Sequence, residues 1–202
     1  MAWRLLSSLS NELDDLLPAL KAGSDRAFAV LVRTLEGPVV RFVLRLVGSA
    51  AVAEEIAQET FVQVYRRVGD FREDCKLSSW VYRIALNLAK NNLRARKARP
   101  EFSENFEAAD GQSQQHDARA GIDAEPERRA EGRDMERAVR DTLAAMPEEL
   151  RECLILRDLE DLPYDEIGEI LGLADGTVKS RISRARQALK EGIAARTGEV
   201  IS

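Results

Sequence analysis

Between residues 100 and 134 the chain reads PEFSENFEAADGQSQQHDARAGIDAEPERRAEGRD, with ten Asp or Glu against four Arg and little apolar material. A segment of this kind has too little apolar surface to offset the conformational entropy lost on ordering. It reads as a flexible acidic linker, so folding must happen on either side of it, in residues 1–99 and residues 135–202. Neither flank alternates apolar and polar residues for long, while both repeat apolar residues at helical spacing. Aromatic residues make up 5% of the chain and charged residues 32%, which favours helices over a β-sandwich. The expected class is all-α: two small helical domains joined by the linker.

In the first flank, SDRAFAVLVRTLEGPVVRFVLRLVG places Phe28, Leu31, Val32 and Leu35 on one face. Gly37-Pro38 predicts a break, after which Val39, Val43, Leu46 and Val47 resume the pattern. AAVAEEIAQETFVQVYRRVGDF predicts a second helix, with Ile56, Phe61, Val64, Tyr65 and Val68 inward and Glu55, Gln58 and Glu59 on the opposite side. That acidic face suits either plain solvation or a basic partner. Gly69 and Asp70 end the helix, Phe71 to Lys76 form a loop, and Ser78 or Ser79 is the expected N-cap of the next helix. There Val81, Ile84, Ala85 and Leu88 face a core, while Arg83, Asn87, Lys90, Asn91 and Arg94 recur on the outer face. Arg96, Lys97 and Arg99 extend the positive charge. Basic side chains beside Phe71, Trp80 and Tyr82 suit unstacked bases of a single strand; the other reading makes Trp80 or Tyr82 a core residue.

In the second flank, LPYDEIGEILGLADGTVKS reads as helix, turn, helix. Pro163 suits a first helical position, Ile167, Ile170 and Leu171 form an apolar stripe, and Gly172 suits a helix end. The next helix carries DGTVKSRISRARQALK, with five basic residues and no acid after Asp175. Val178, Ile182, Ala185 and Leu189 share one face. Ser180, Ser183 and Gln187 line the opposite one, flanked by Lys179, Arg186 and Lys190 on one side and Arg181 and Arg184 on the other. Small polar side chains between basic flanks let a helix approach base edges in a major groove while the flanks reach phosphates. This is the helix-turn-helix pattern; an ordinary helical hairpin with a solvated basic face is the competing reading.

Taken in order, DRAFAVLV, AEEIAQETFVQVYRRVGDFR, SSWVYRIALNLAKNNL, MPEELRECLILRDLEDLPYDEIGEILG and GTVKSRISRARQAL resemble the extracytoplasmic-function (ECF) sigma factors of bacterial RNA polymerase. These form the small two-domain branch of the sigma-70 family, and the resemblance is to the sigma-E type. It implies that residues 1–99 are a region 2 domain, which docks on core polymerase and recognises and melts the -10 element. Residues 135–202 would be a region 4 domain reading the -35 element. By position, Glu55, Gln58 and Glu59 would meet the clamp helices of the largest polymerase subunit, and region 4 the flap. Phe71 and Asn87 would line a pocket for a flipped base, with Arg83, Lys90, Asn91 and Arg94 along the same strand. Thr177, Lys179, Ser180, Arg181, Ser183, Arg184 and Gln187 would form the -35 reading face. The resemblance further implies an anti-sigma factor, a stress response, and a cytoplasmic protein held at the inner membrane through that inhibitor. The linker would thread the RNA-exit path. This chain departs from the family at Glu73, where glycine is usual in the loop, at Leu77, where an aromatic is common, at Ala174, where serine usually caps the reading helix, and at Ser183, where bulkier residues occur.

Other functional classes are less well served. A stand-alone helix-turn-helix regulator leaves the basic helix near residues 83–99 without a role. An enzyme lacks its parts: the sole histidine, His116, falls in the linker, and no phosphate loop, nucleophile elbow or metal-ligand cluster is present. No catalytic residue, metal or cofactor is expected. Cys75 and Cys153 have no C-x-x-C spacing, which suggests a reducing compartment, and a lone cysteine such as Cys75 reads as inert. The opening residues make a poor signal peptide, and no apolar run is long enough to span a membrane. The net charge of -5 confines any attraction for DNA to the two basic segments.

Overall fold

The structure, a computed structural model, describes residues 12–98 and 126–198. Most of the predicted linker, His116 and the opening residues lie outside them. Among the described residues all regular structure is helical: α1 (Leu17–Lys21), α2 (Asp25–Val47), α3 (Ala50–Arg67), α4 (Leu77–Lys97), α5 (Pro126–Ala145), α6 (Glu148–Leu154), α7 (Tyr164–Leu171) and α8 (Asp175–Thr197). Helix α5 starts inside the stretch read as linker, with proline at its first position.

The predicted break at Gly37-Pro38 is absent, and α2 runs unbroken for 23 residues with Pro38 inside it. The reason is packing. Leu31, Leu35, Val39, Phe42 and Val43 follow one another down a single buried stripe. At about 1.5–3 kcal/mol per buried side chain, they outweigh the ~3 kcal/mol that proline costs a helix interior. Gly37 also lacks the Cβ against which a following proline ring would clash.

The predicted N-cap of α4 is also displaced. The helix begins at Leu77 with Lys76 at the cap position, and neither serine caps it. The Leu77 N–H instead donates at 3.0 Å to Asp14 Oδ1, a carboxylate oxygen 63 positions earlier in the chain. Helix α7 likewise starts one residue late, after Pro163 as its cap, and ends on Gly172 in the left-handed conformation.

Helices α2, α3 and α4 pack on one another. Phe42 meets Tyr82 edge to face, with ring centroids 5.2 Å apart. Tyr65, expected inside, is exposed and lies edge-on to Phe28. In the second half α8 is the spine on which α5, α6 and α7 pack. Where α5 crosses α8 the contact is close: a methyl group on Gly192 would lie 2.3 Å from Thr142 Cγ2. After α6 the chain makes one wide π turn, Ile155–Leu159. It carries Asp158 to Arg186, whose guanidinium donates to both carboxylate oxygens at 2.5 and 2.9 Å.

The halves are not separate bodies. Leu77 and Val81 belong to the same buried cluster as Cys153, Ile155, Leu156 and Ile167. Helix α4 packs on α7, and α2 on the π turn.

Candidate nucleic-acid interface

Helix α8 buries Val178, Ile182 and Ala185. This turns Lys179, Ser180, Ser183, Arg184 and Gln187 to solvent, with Thr177 half-buried beside them. The cap residue Ala174 offers no side-chain acceptor, and Asp175 follows inside the first turn, where its carboxylate holds Lys179 Nζ at 2.8 Å. Arg184 stays on its own helix, with Nε donating to the Ser180 carbonyl at 3.4 Å. Gln187 donates to Glu191 at 2.7 Å. Arg181 differs from its neighbours: it lies half-buried against α6, its Nη2 3.0 Å from Glu149 Oε2. The exposed face is therefore a strip of small polar side chains edged by Lys179 and Arg184, with a fixed helix behind it.

Helix α4 carries the second basic face, and here the predicted residues divide. Asn87, Asn91 and Arg94 are exposed, whereas Arg83 and Lys90 are taken up by the C-terminal half. Arg83 Nη2 donates to the Glu169 carbonyl at 2.5 Å. Lys90 Nζ lies 2.8 Å from Glu152 Oε1 and 3.7 Å from Glu148 Oε1. At the cap of α4, Lys76 Nζ meets Glu166 Oε1 at 2.5 Å, and on α2 Arg45 pairs with Glu160. Phe71 is buried against Trp80, with ring centroids 5.1 Å apart. Its loop passes through Glu73 at φ 61°, a left-handed conformation that favours glycine. The Glu73 carboxylate holds Lys21 at 2.6 Å. A glycine would take this conformation without strain, and this chain bears the strain of its glutamate.

Sequence reasoning singled out none of the three buried acids that receive Lys90, Arg45 and Lys76. Glu152, Glu160 and Glu166 are 3%, 4% and 2% exposed. Burial pushes each of their carboxyl groups above the usual range, and the paired lysine or arginine pulls it back only in part. The one trace in the sequence is an acid next to apolar core positions, as Glu166 stands before Ile167 and four residues before Ile170. Cys75, at the edge of this junction, has a thiol that burial pushes up to about 11, Arg83 opposing. It holds little thiolate at neutral pH, in keeping with an inert cysteine.

On α3, Glu55, Gln58 and Glu59 are exposed together, with Gln63 donating to Glu59 at 3.2 Å. Among the described residues no cluster of acids, histidines and cysteines could hold a metal ion, and no helix is long and apolar enough to cross a membrane.

Comparison with known proteins matches two stretches of the chain. Residues 31–99 match the family described as Sigma-70 region 2, and residues 136–189 the one described as Sigma-70, region 4. The RNA polymerase sigma-H factor of Pseudomonas aeruginosa is 37% identical over 186 residues, covering 92% of this chain and 96% of the relative. The ECF RNA polymerase sigma-E factor of Escherichia coli is 35% identical over 183 residues, covering 90% and 95%. Among solved structures, CnrH in complex with the cytosolic domain of CnrY superposes with a TM-score of 0.64 at 24% identity, over 90% of this chain and 97% of that one. The sigma factor RpoE of Bartonella quintana, solved with the anti-sigma factor NepR, gives 0.57 at 24% identity, over 92% and 96%; both share the fold. With two family regions in order and relatives aligned nearly end to end, the chain belongs to the ECF branch of the sigma-70 family, as a non-enzymatic sigma factor that acts with RNA polymerase in transcription initiation.

Proposed function

We propose that this sigma factor reads the -35 element as duplex through the outer face of α8, and the -10 element as a melted strand through α4 and the Phe71–Leu77 loop. The observation that carries the reading is the build of α8. Ser180, Ser183 and Gln187 present short or neutral side chains to solvent between Lys179 and Arg184, while Val178, Ile182 and Ala185 anchor the helix from behind. Such a strip can enter a major groove without steric cost and set basic groups against the phosphates. On α4, Asn87 and Asn91 are the base-facing candidates and Arg94 the phosphate contact. In this reading residues 1–99 dock and melt, residues 100–134 form the linker and residues 135–202 read the duplex. Glu55, Gln58 and Glu59 offer the acidic face for the polymerase clamp helices.

The regulatory side of the reading comes from the relatives. The sigma-E and sigma-H names support a stress-response role, and a fold shared with RpoE solved beside NepR supports an anti-sigma partner. The site of action is the cytoplasm, with tethering at the inner membrane if that partner is membrane-bound.

The test is run-off transcription with core polymerase on a pool of bacterial promoters, with and without the protein. Discrete new transcripts sharing two upstream elements are expected. Core binding without transcripts from any promoter would reject the -10 assignment, and duplex binding with no core binding would return the stand-alone regulator.

A further inference from the structure

At the tip of α8 a carboxylate and an ammonium stand side by side. Asp175 opens the helix and Lys179 follows one turn on, with Oδ2 and Nζ 2.8 Å apart and both side chains 57% exposed. The cation is held from a second side, because the Tyr164 ring of α7 lies with its centroid 5.9 Å from Nζ. Gly176 beside the pair carries no side chain, and a Cβ there would meet nothing within 4 Å, so the tip is open to close approach. A lysine already neutralised by a carboxylate gains little from a phosphate. Arg184, on the opposite edge, pairs with no acid among the described residues and donates only to the Ser180 carbonyl. The two edges of α8 therefore differ: Arg184 offers free charge, whereas Lys179 and Asp175 together offer a donor beside an acceptor at a set separation.

A base pair offers the complement of that arrangement. In the major groove the O6 of guanine accepts and the N4 of its cytosine donates, and the hydrogen bond that joins them is about 2.9 Å long. This spacing matches the ion pair, so Nζ can donate to O6 while the carboxylate accepts from N4. From this we infer that Asp175 is a specificity-determining residue: with Lys179 it forms a dyad that selects a G·C pair in the -35 element, guanine on the lysine side. The inference rests on the proposed seating of α8 in the major groove, where the first residues of a recognition helix meet base edges. The other three pairs, written with the base on the lysine side first, fail for separate reasons. In C·G and A·T the ammonium meets an amino group and the carboxylate meets a carbonyl. T·A keeps the order of acceptor and donor. It sets the thymine methyl where guanine N7 gives the ammonium a second acceptor, and sets adenine N7 where it repels the carboxylate.

The test uses polymerase holoenzyme, reconstituted from core enzyme and the full-length protein, bound to a pool of duplex promoters randomised in the upstream element; the bound fraction is sequenced. Wild type is compared with Lys179→Ala and Asp175→Asn. Both side chains are exposed, and thermal melting by circular dichroism checks that the variants fold. The expected result is one position at which wild type prefers G·C and Lys179→Ala relaxes the preference. At that position alone, Asp175→Asn should lower the preference for G·C over T·A about tenfold, because an amide donates to adenine N7 while its oxygen still accepts from N6. A change in total binding with every base preference intact would mean that Asp175 serves only the helix start, and would overturn the inference. A preference relaxed at a position that Lys179→Ala leaves untouched would overturn it as well. No selection in the upstream element by wild type would reject the seating of α8 itself, and the dyad with it.

Discussion

Helices α4 and α8 are nearly equal in length, at 21 and 23 residues, and each carries a basic outer face, yet they stand in opposite conditions. On α8 the cations either reach solvent or pair with acids of their own half, as Lys179 does with Asp175 and Arg186 with Asp158. On α4 the cations at the edge are committed to acids and a carbonyl that lie 62 to 90 positions away. The difference teaches that a charge pattern states which chemistry a helix can bind, whereas the tertiary fold decides whether that chemistry is already satisfied from within.

The sharpest way to break the comparison is to truncate one arginine from each helix. Arg184→Ala should weaken duplex binding and -35-dependent transcription about tenfold or more, since a specific base-edge or phosphate contact is worth about 1–3 kcal/mol. Arg83→Ala should leave duplex binding by the free protein unchanged. Equal losses in the two variants, measured by anisotropy, would erase the distinction between a free and a committed helix.

A second measurement concerns the footing of α8. Gly192→Ala should destabilise the protein by about 1–3 kcal/mol through overpacking, because the new methyl would fall 2.3 Å from Thr142 Cγ2. Adding Thr142→Ser, which removes that carbon, should restore much of the loss in a denaturant titration. No rescue would mean that the crossing is held by something other than this contact.

Cys75 reports on the other helix. With its thiol raised from 9.0 to about 11, the thiolate fraction at pH 7.5 falls about a hundredfold; the greater nucleophilicity of a high-pKa thiolate recovers part of this, leaving reaction about tenfold slow. The sign follows from burial, which disfavours the charged form, so opening the junction should speed modification. Alkylation of Cys75 in Glu152→Gln/Glu166→Gln should be several times faster than in wild type, read by mass spectrometry. An unchanged rate would place the cause of the slow reaction outside the junction.

The smallest effect expected is at Glu73. Glycine there removes the left-handed penalty of about 1–2 kcal/mol. It gives up an exposed ion pair with Lys21 worth at most about 1 kcal/mol and adds entropy to the unfolded chain. Glu73→Gly should therefore raise the melting temperature slightly, and Lys21→Ala should change it little. A clear fall with glycine would show that the ion pair governs the loop.

Much of this molecule was legible before any coordinates. The apolar stripe of α8, the left-handed Gly172 and the helical class follow from neighbours within a few residues, where side-chain type and backbone preference act together. The errors share one origin: at Pro38 a local breaker was overridden by five buried side chains, and at Leu77 the helix start was satisfied by Asp14, 63 positions away. The junction was beyond reach for the same reason. Glu152, Glu160 and Glu166 look like ordinary helical acids, and only the packing of α4 against α7 and of α2 against the π turn takes them out of water. Spacing groups Arg83 and Lys90 with Asn87, but spacing could not show that two of the three already had partners.

The crossing of α5 over α8 has a consequence for how such a protein can change over generations. The side chains proposed to face the promoter occupy the first half of α8, whereas Gly192 and Ile193 seat its second half against the helices behind. A mutation at Ser180, Ser183 or Gln187 alters the letters presented to DNA and leaves the seat intact. Re-aiming the whole helix would require a new fit at Thr142, where there is no room for one more carbon. New promoter preferences are therefore expected to arise by exchange of side chains on a fixed rod, and lineages should vary freely at its tip while its base stays conservative.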